Sequence, residues 1–210
     1  MNDLKKVSIA TGAAGVMAQT ADIARGQGVD ELIAGIKSNS AEKRTESWQS
    51  AGKVGAPAVK PLAKVMTDDE LEVARAAKRA LWQIVRYTGR PGANQERRAV
   101  GVELIALLGA EQPVAVRREV LWMLSEIGGR RDIEPIAGLM KNEDLREDAR
   151  MALERMPNRR AVAALNAAFK SAPEDFKPNL AQSLRKRGEV VAGYPCQKLV
   201  PTKKTDVKAL

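Results

Sequence analysis

Residues 116–128 read VRREVLWMLSEIG. Their apolar side chains recur at steps of three and four residues, as they do on a helix that buries one stripe of its surface. Gly128 at the end of the stretch suits a helix C-terminal cap. The stretch therefore predicts an amphipathic helix, and it defines a frame, V-R-x-x-V-x-x-M-L-x-x-I-G.

This frame returns four times along the chain. Residues 145–157 match it at every position, and residues 73–84 match it with Ala74 at the arginine position. Residues 43–55 and 176–188 are weaker copies. The arginine positions fall at 44, 74, 117, 146 and 177, a period near 30 residues with one longer step of 43. A repeat of this length, with helical spacing inside each unit, indicates a stacked array of helix pairs.

The frame, with an apolar helix before each copy such as 133–139, resembles the HEAT repeat. More narrowly, it resembles the short HEAT-like repeats of bilin lyases and of many bacterial scaffolding proteins. The resemblance covers roughly residues 28–188. It implies an all-α fold, a right-handed α-solenoid of about five stacked antiparallel helix pairs. It says little about function, because such solenoids host unrelated activities.

Five helix pairs follow from the periodicity and the turn residues. They are predicted at 30–37 with 41–54, 58–66 with 70–85, 95–108 with 114–127, 131–140 with 145–156, and 160–169 with 174–187. A Gly/Pro-rich loop at 87–94 accounts for the longer step.

The two ends of the chain lie outside the repeats. Residues 1–27 begin with a basic, then apolar, then small-residue order, which predicts either a signal peptide over 1–18 or a segment that covers the first repeat. Residues 189–210 are basic and aperiodic, and predict an extended tail that docks back as a cap or engages a partner. We expect a cytoplasmic protein, or an exported one if residues 1–18 are a signal peptide.

The composition excludes several classes of function. The chain has no histidine, which excludes Ser-His and Cys-His catalysis and histidine-ligated metals. Its single cysteine, Cys196, permits no intramolecular disulfide. No stretch approaches the ~20 apolar residues of a membrane span. We therefore expect a non-enzymatic protein with no cofactor and no resident metal.

The turns between successive pairs are basic. In a solenoid these turns lie along one edge, and we name this edge the basic rim. Since the net charge is +9, an acidic partner is favoured. Arginine at a helix start opposes the helix dipole, so local stability does not explain these residues; they form either a binding surface or a solvated edge. The rim residues are Arg97, Arg98, Arg130, Arg131, Arg159 and Arg160.

The second helices carry a further set of side chains beside the core stripe, on the face expected to be concave. All three tryptophans belong to it, so they either fill the wedges between repeats or line a groove with the neighbouring cations. The candidate partner-binding residues are Trp48, Lys78, Arg79, Trp82, Leu121, Trp122, Arg150 and Met151.

These observations predict a protein–protein interaction scaffold that binds a partner segment with acidic and apolar groups on its concave face. Nucleic-acid binding through phosphate contacts along the basic rim is the alternative. A bilin-lyase-like chaperone or lyase activity is less favoured, because only the repeat subtype suggests it.

Overall fold

The computed structural model describes residues 28–195, and this part of the chain is all-α with no strand. It contains ten α-helices and three short 3-10 turns. The helices are α1 (28–36), α2 (Ala41–Ser50), α3 (Val59–Val65), α4 (Leu71–Thr88), α5 (Asn94–Ala106), α6 (Val114–Ile127), α7 (Ile133–Gly138), α8 (Arg146–Arg155), α9 (Arg159–Ser171) and α10 (Lys177–Lys186).

The helices are packed in sequential pairs. Within the pairs α3 contacts α4, α5 contacts α6, α7 contacts α8 and α9 contacts α10. The second helices also contact one another in order, from α2 through α4, α6 and α8 to α10. The predicted all-α array of helix pairs is therefore confirmed, while its right-handed winding stays a prediction.

The repeated frame marks the buried stripe of the second helices. In α6 its five apolar positions, Val116, Val120, Met123, Leu124 and Ile127, are all buried. The corresponding positions of the copies at 73–84 and 145–156 are buried as well. Each large apolar side chain buried in this way contributes roughly 1.5–3 kcal/mol to folding.

The first copy of the frame is structurally the weakest. No residue of α2 is buried. The hydroxyls of Ser47 and Ser50 donate to the carbonyls of Lys43 and Ser47, at 2.7 and 3.0 Å, within the same helix. Ser47 and Ser50 occupy positions of the apolar stripe and form their hydrogen bonds within the helix. Helix α2 therefore has less apolar surface to bury than the later second helices.

The arginine of the frame joins the two helices in the first and third pairs. Arg117 is only 7% exposed, and its Nε donates to the carbonyl of Leu108 at 3.0 Å, just beyond the end of α5. In the first pair Arg44 donates to the carbonyl of Ser38 at 2.7 Å in the same manner. The last carbonyls of a helix lack partners within it, and a cation is favourable there.

Helix α4 is longer than predicted. The expected loop over 87–94 begins only at Gly89, because α4 continues through Thr88. The Thr88 side chain is buried and donates to the carbonyl of Val85 at 3.0 Å. Tyr87 packs so closely on Gly52 that a Cβ on this glycine would lie 2.7 Å from the Tyr87 Cβ. Packing of this last helical turn outweighs the tendency of the Gly/Pro-rich sequence to form a loop from residue 87.

The first residues of the predicted C-terminal tail dock back on the last pair. The Arg185 guanidinium donates to the carbonyls of Val191 at 3.0 Å, of Tyr194 at 2.7 Å and of Gly193. The Tyr194 hydroxyl donates to Glu174 at 2.7 Å. The predictions for residues 1–27 and for 196–210 lie outside the described residues. Across 28–195, no helix is long and apolar enough to cross a membrane.

Replacing Arg117 by methionine should destabilise the fold. Arg117→Met keeps the apolar stem but leaves the Leu108 carbonyl without its donor, which should cost about 2 kcal/mol in free energy of unfolding. Chemical denaturation measures this cost. Arg98→Met is the control, since Arg98 is exposed and should change stability by less than about 0.5 kcal/mol; equal effects of the two variants would contradict the role of Arg117.

Candidate binding surfaces

The three tryptophans lie on the surface formed by the second helices, α2, α4, α6, α8 and α10. We call this surface the inner face. Trp82 is half-buried, and its indole Nε1 donates to Glu119 Oε1 at 2.5 Å. Lys78 forms an ion pair with the other oxygen of Glu119 at 2.6 Å. One carboxylate of α6 thus receives both an indole and an ammonium group from α4.

The next step of the array repeats this arrangement with different residues. Trp122 Nε1 donates to Asp148 Oδ1 at 3.2 Å, from α6 to α8. Arg118 lies 3.4 Å from the second Asp148 oxygen and donates to the carbonyl of Asp144 at 2.8 Å. Trp82 and Trp122 therefore join neighbouring repeats, as the wedge-filling alternative expects.

Trp48 differs from the other two tryptophans. Its Nε1 is buried and has no hydrogen-bond partner within residues 28–195. The ring lies 6.0 Å from the Arg79 guanidinium carbon, a cation–π distance. The acceptors Glu119 and Asp148 sit two residues after the arginine position of their repeats, and the equivalent residue of α4 is Ala76, which is buried.

The prediction that Leu121 belongs to the partner-binding surface is wrong. Its side chain is 0% exposed and belongs to the core. Helix α6 contacts α4, α5 and α8, so it buries a wider stripe than the frame alone predicts. Met151 is half-buried on α8, and its place on the partner-binding surface stays a prediction.

Arg150 is engaged within the protein. It forms ion pairs with Glu147 at 2.7 Å and Glu154 at 3.0 Å, and donates to the Ser183 hydroxyl at 2.5 Å. A partner would have to displace these bonds in order to use Arg150.

Four of the predicted partner-binding residues meet at one cavity of about 440 Å³ on the inner face of α2 and α4. We call it the inner cavity. It is lined by Trp48, Arg75, Lys78, Arg79, Trp82, Gln83 and Arg86. Arg75, Gln83 and Arg86 were not predicted from the sequence. A signal for the two arginines exists, because positions 75, 79, 82 and 86 recur at steps of three and four on one helix face.

The cations of the inner cavity differ in their partners. Arg75 pairs with Glu72 at 2.8 Å and Lys78 pairs with Glu119. Arg79 and Arg86 form no ion pair or hydrogen bond within residues 28–195, and they approach only the rings of the tryptophans, Arg86 at 5.6 Å from Trp82. The cavity therefore combines two partly exposed indoles with two guanidinium groups that keep their hydrogen-bonding capacity.

On the basic rim, four of the six predicted arginines line a second cavity, of about 430 Å³. We call it the rim cavity. Arg97 and Arg98 come from the first turns of α5, and Arg130 and Arg131 from the turn between α6 and α7. The remaining two, Arg159 and Arg160, are exposed at the start of α9.

Unpaired arginines of the described part occur only on these two surfaces. Arg79 and Arg86 lie in the inner cavity, and Arg98, Arg130, Arg131, Arg159 and Arg160 lie on the basic rim. Every other arginine in 28–195 makes at least one hydrogen bond or ion pair.

The turns between the two helices of a pair carry acidic residues, and some of these residues differ from those of the basic rim in having ion-pair partners. Asp68 pairs with Lys37 at 2.9 Å and Asp175 pairs with Arg146 at 2.6 Å, each across neighbouring repeats. The charges of these turns are partly neutralised inside the protein. No three His, Cys, Asp or Glu residues within 28–195 form a group that could hold a metal ion.

Comparison with known proteins adds a limited similarity. No family model and no curated protein matches the chain. Among solved structures, a match is the crystal structure of an engineered protein, Northeast Structural Genomics Consortium target OR329. It is 19% identical, covers 75% of this chain and 78% of its own, and has a TM-score of 0.38.

The tryptophans provide a matched pair of substitutions. Trp82→Phe removes the donor to Glu119 and should cost about 1–2 kcal/mol in free energy of unfolding. Trp48→Phe removes a buried donor that has no acceptor among the described residues, so it should change stability by less than about 0.5 kcal/mol or raise it. Denaturant titration of both variants measures the difference. A larger loss for Trp48→Phe than for Trp82→Phe would contradict the assigned bonds.

Glu154 joins α8 to α10. Its side chain is 11% exposed and accepts from Ser183 at 2.7 Å, from Lys186 at 2.6 Å and from Arg150. Burial raises the pKa of Glu154, but the hydrogen bonds from Lys186 and Ser183 and the charges of Lys186 and Arg150 outweigh it, so the pKa lies below its ordinary value.

A lowered folded-state pKa gives Glu154 a stabilising role that is present above its unfolded-state pKa and is lost as the pH falls through the folded value. Glu154→Gln should therefore cost about 1–3 kcal/mol at pH 7, and the cost should shrink as the pH falls from about 5 towards 3. Thermal melts of both proteins across this range test it. A cost that is the same at every pH would show that the Glu154 charge is not responsible.

Proposed function

We propose that this protein is a non-enzymatic scaffold whose inner cavity binds an acidic segment of another protein. The observation that carries the proposal is the joint lining of this cavity by two half-buried tryptophans and by Arg79 and Arg86, which have no ion-pair partner within 28–195.

The chemistry of the lining favours a protein ligand. Tryptophan and arginine are the residues that most often dominate the binding energy of protein interfaces. A guanidinium group pairs with a carboxylate through two parallel hydrogen bonds, which fixes orientation as well as affinity. The indoles of Trp48 and Trp82 supply an apolar surface for a large side chain of the same segment.

The position of the cavity in the array also supports this ligand. At the α4–α6 and α6–α8 steps, Glu119 and Asp148 supply carboxylates to the tryptophans and cations of the preceding helix. At the α2–α4 step the equivalent position is Ala76, so the repeat supplies no carboxylate there. A carboxylate of a partner would complete the charge balance that the other steps achieve internally.

We also propose that the helix pairs belong to the short HEAT-like repeats, because the frame at 116–128 and 145–157 combines their spacing with buried stripes in α6 and α8. A bilin-lyase-like activity remains supported only by this resemblance.

Selection from a displayed library of short random peptides tests the proposed function. We expect the selected peptides to be rich in Asp and Glu and to contain a large apolar residue. Arg79→Gln/Arg86→Gln should weaken the best peptide at least about tenfold, equivalent to about 1.4 kcal/mol. The binding constant is measured by fluorescence anisotropy.

The matched control removes the same charge from the basic rim. Arg159→Gln/Arg160→Gln should leave peptide affinity within about twofold, since rim charges outside the contact are screened at physiological salt. Selection of peptides without acidic residues, or equal weakening by the two double variants, would refute the inner cavity as the binding site.

A further inference from the structure

We infer that the basic rim is a separate binding site, for the phosphate backbone of a nucleic-acid strand, centred on the rim cavity. This inference does not depend on the proposed function, because it rests on a different surface and on different arginines.

The rim cavity has an unbalanced charge. Four arginines line it, and Asp132 is the only acidic residue of its lining. The Asp132 carboxylate accepts from the backbone N–H of Gly129 at 2.7 Å and makes no ion pair with these arginines. Arg97 donates to Asn94 at 2.7 Å, while Arg98, Arg130 and Arg131 have no partner within 28–195.

Local structure does not explain this clustering. Arg97 and Arg98 lie in the first turns of α5, where a positive charge opposes the helix dipole. Arg130 and Arg131 add further positive charges from the next turn along the rim, so four like charges converge around the single carboxylate of Asp132. An anionic ligand that spans the cavity would remove this repulsion.

The lining favours phosphate over a protein segment. Arginine forks match the geometry of phosphate oxygens. The rim cavity has no aromatic lining, and its exposed apolar side chain, Val102, is small although 65% exposed. Stable protein interfaces need a buried apolar core, which the inner cavity can provide and the rim cavity cannot.

The length of the basic rim favours a ligand that carries a chain of phosphates over a ligand with a single phosphate. Helices α7 and α9 are the first helices of successive pairs and pack on each other, so their starts follow the same edge. Arg159 and Arg160 at the start of α9 therefore continue the line from Arg130 and Arg131 before α7. A linear polyanion can contact both steps at once.

Fluorescence anisotropy with labelled oligonucleotides tests the inference, with a single strand and a duplex as separate arms at about 50 mM salt, where phosphate contacts are strong. We expect binding in at least one arm. Arg98→Gln/Arg130→Gln/Arg131→Gln should weaken it at least about tenfold and should reduce the slope of log affinity against log salt by about 2–3.

The control variant, Arg75→Gln/Arg79→Gln/Arg86→Gln, removes three charges from the inner cavity and should leave the salt slope unchanged. Thermal melts should show that both triple variants fold, because the substituted side chains are exposed. No anisotropy change in either arm, or an equal loss for both variants, would overturn the inference. So would displacement of the oligonucleotide by polyglutamate as readily as by unlabelled oligonucleotide, because the site would then accept any polyanion.

Discussion

Burial of one apolar stripe on each second helix is the constraint on which the rest of the structure depends. A pair of short helices cannot cover this stripe by itself, and stacking of the next pair completes its burial. Helix α6, with neighbours on both sides, buries eight residues, whereas α2 at the first pair buries none. The stability of such an array is close to a sum of the stabilities of its repeats and of the interfaces between neighbouring repeats. The outer pairs therefore depend on their interfaces with the central pairs.

Polar bonds across the same steps join charged side chains of successive second helices. Glu119, Asp148 and Glu154 each accept from residues of a neighbouring helix, and these bonds bring half-buried tryptophans and cations into the joints between repeats. Indoles placed beside cations on a helix face therefore have a structural role at two of the three steps that contain a tryptophan. Only where a repeat lacks its carboxylate do the same residue types remain available to a ligand.

The two candidate surfaces arise where the repeat pattern is broken or left without counter-charges. Ala76 replaces the carboxylate in α4, and the inner cavity lies at that step. The first turns of α5 and the turn before α7 bring two pairs of arginines together around Val102, and no arginine of these pairs forms an ion pair within 28–195. The indoles of the inner cavity and the four arginines of the rim cavity favour chemically different ligands, so the two proposed sites are separable.

The helix pairs could be predicted from the amino-acid sequence, since the spacing of residues such as Val120, Leu124 and Ile127 reflects the helical period directly. The sequence also shows the arginine pairs at 97–98, 130–131 and 159–160, but the structure places the first and last of them within α5 and α9 and not in turns. The burial of Leu121 in the core and the bond from Trp122 to Asp148 could not be predicted from the sequence, because the width of a buried stripe and the partner of a side chain depend on helices distant in sequence. For the same reason, the sequence did not predict the last turn of α4, in which Tyr87 packs on Gly52.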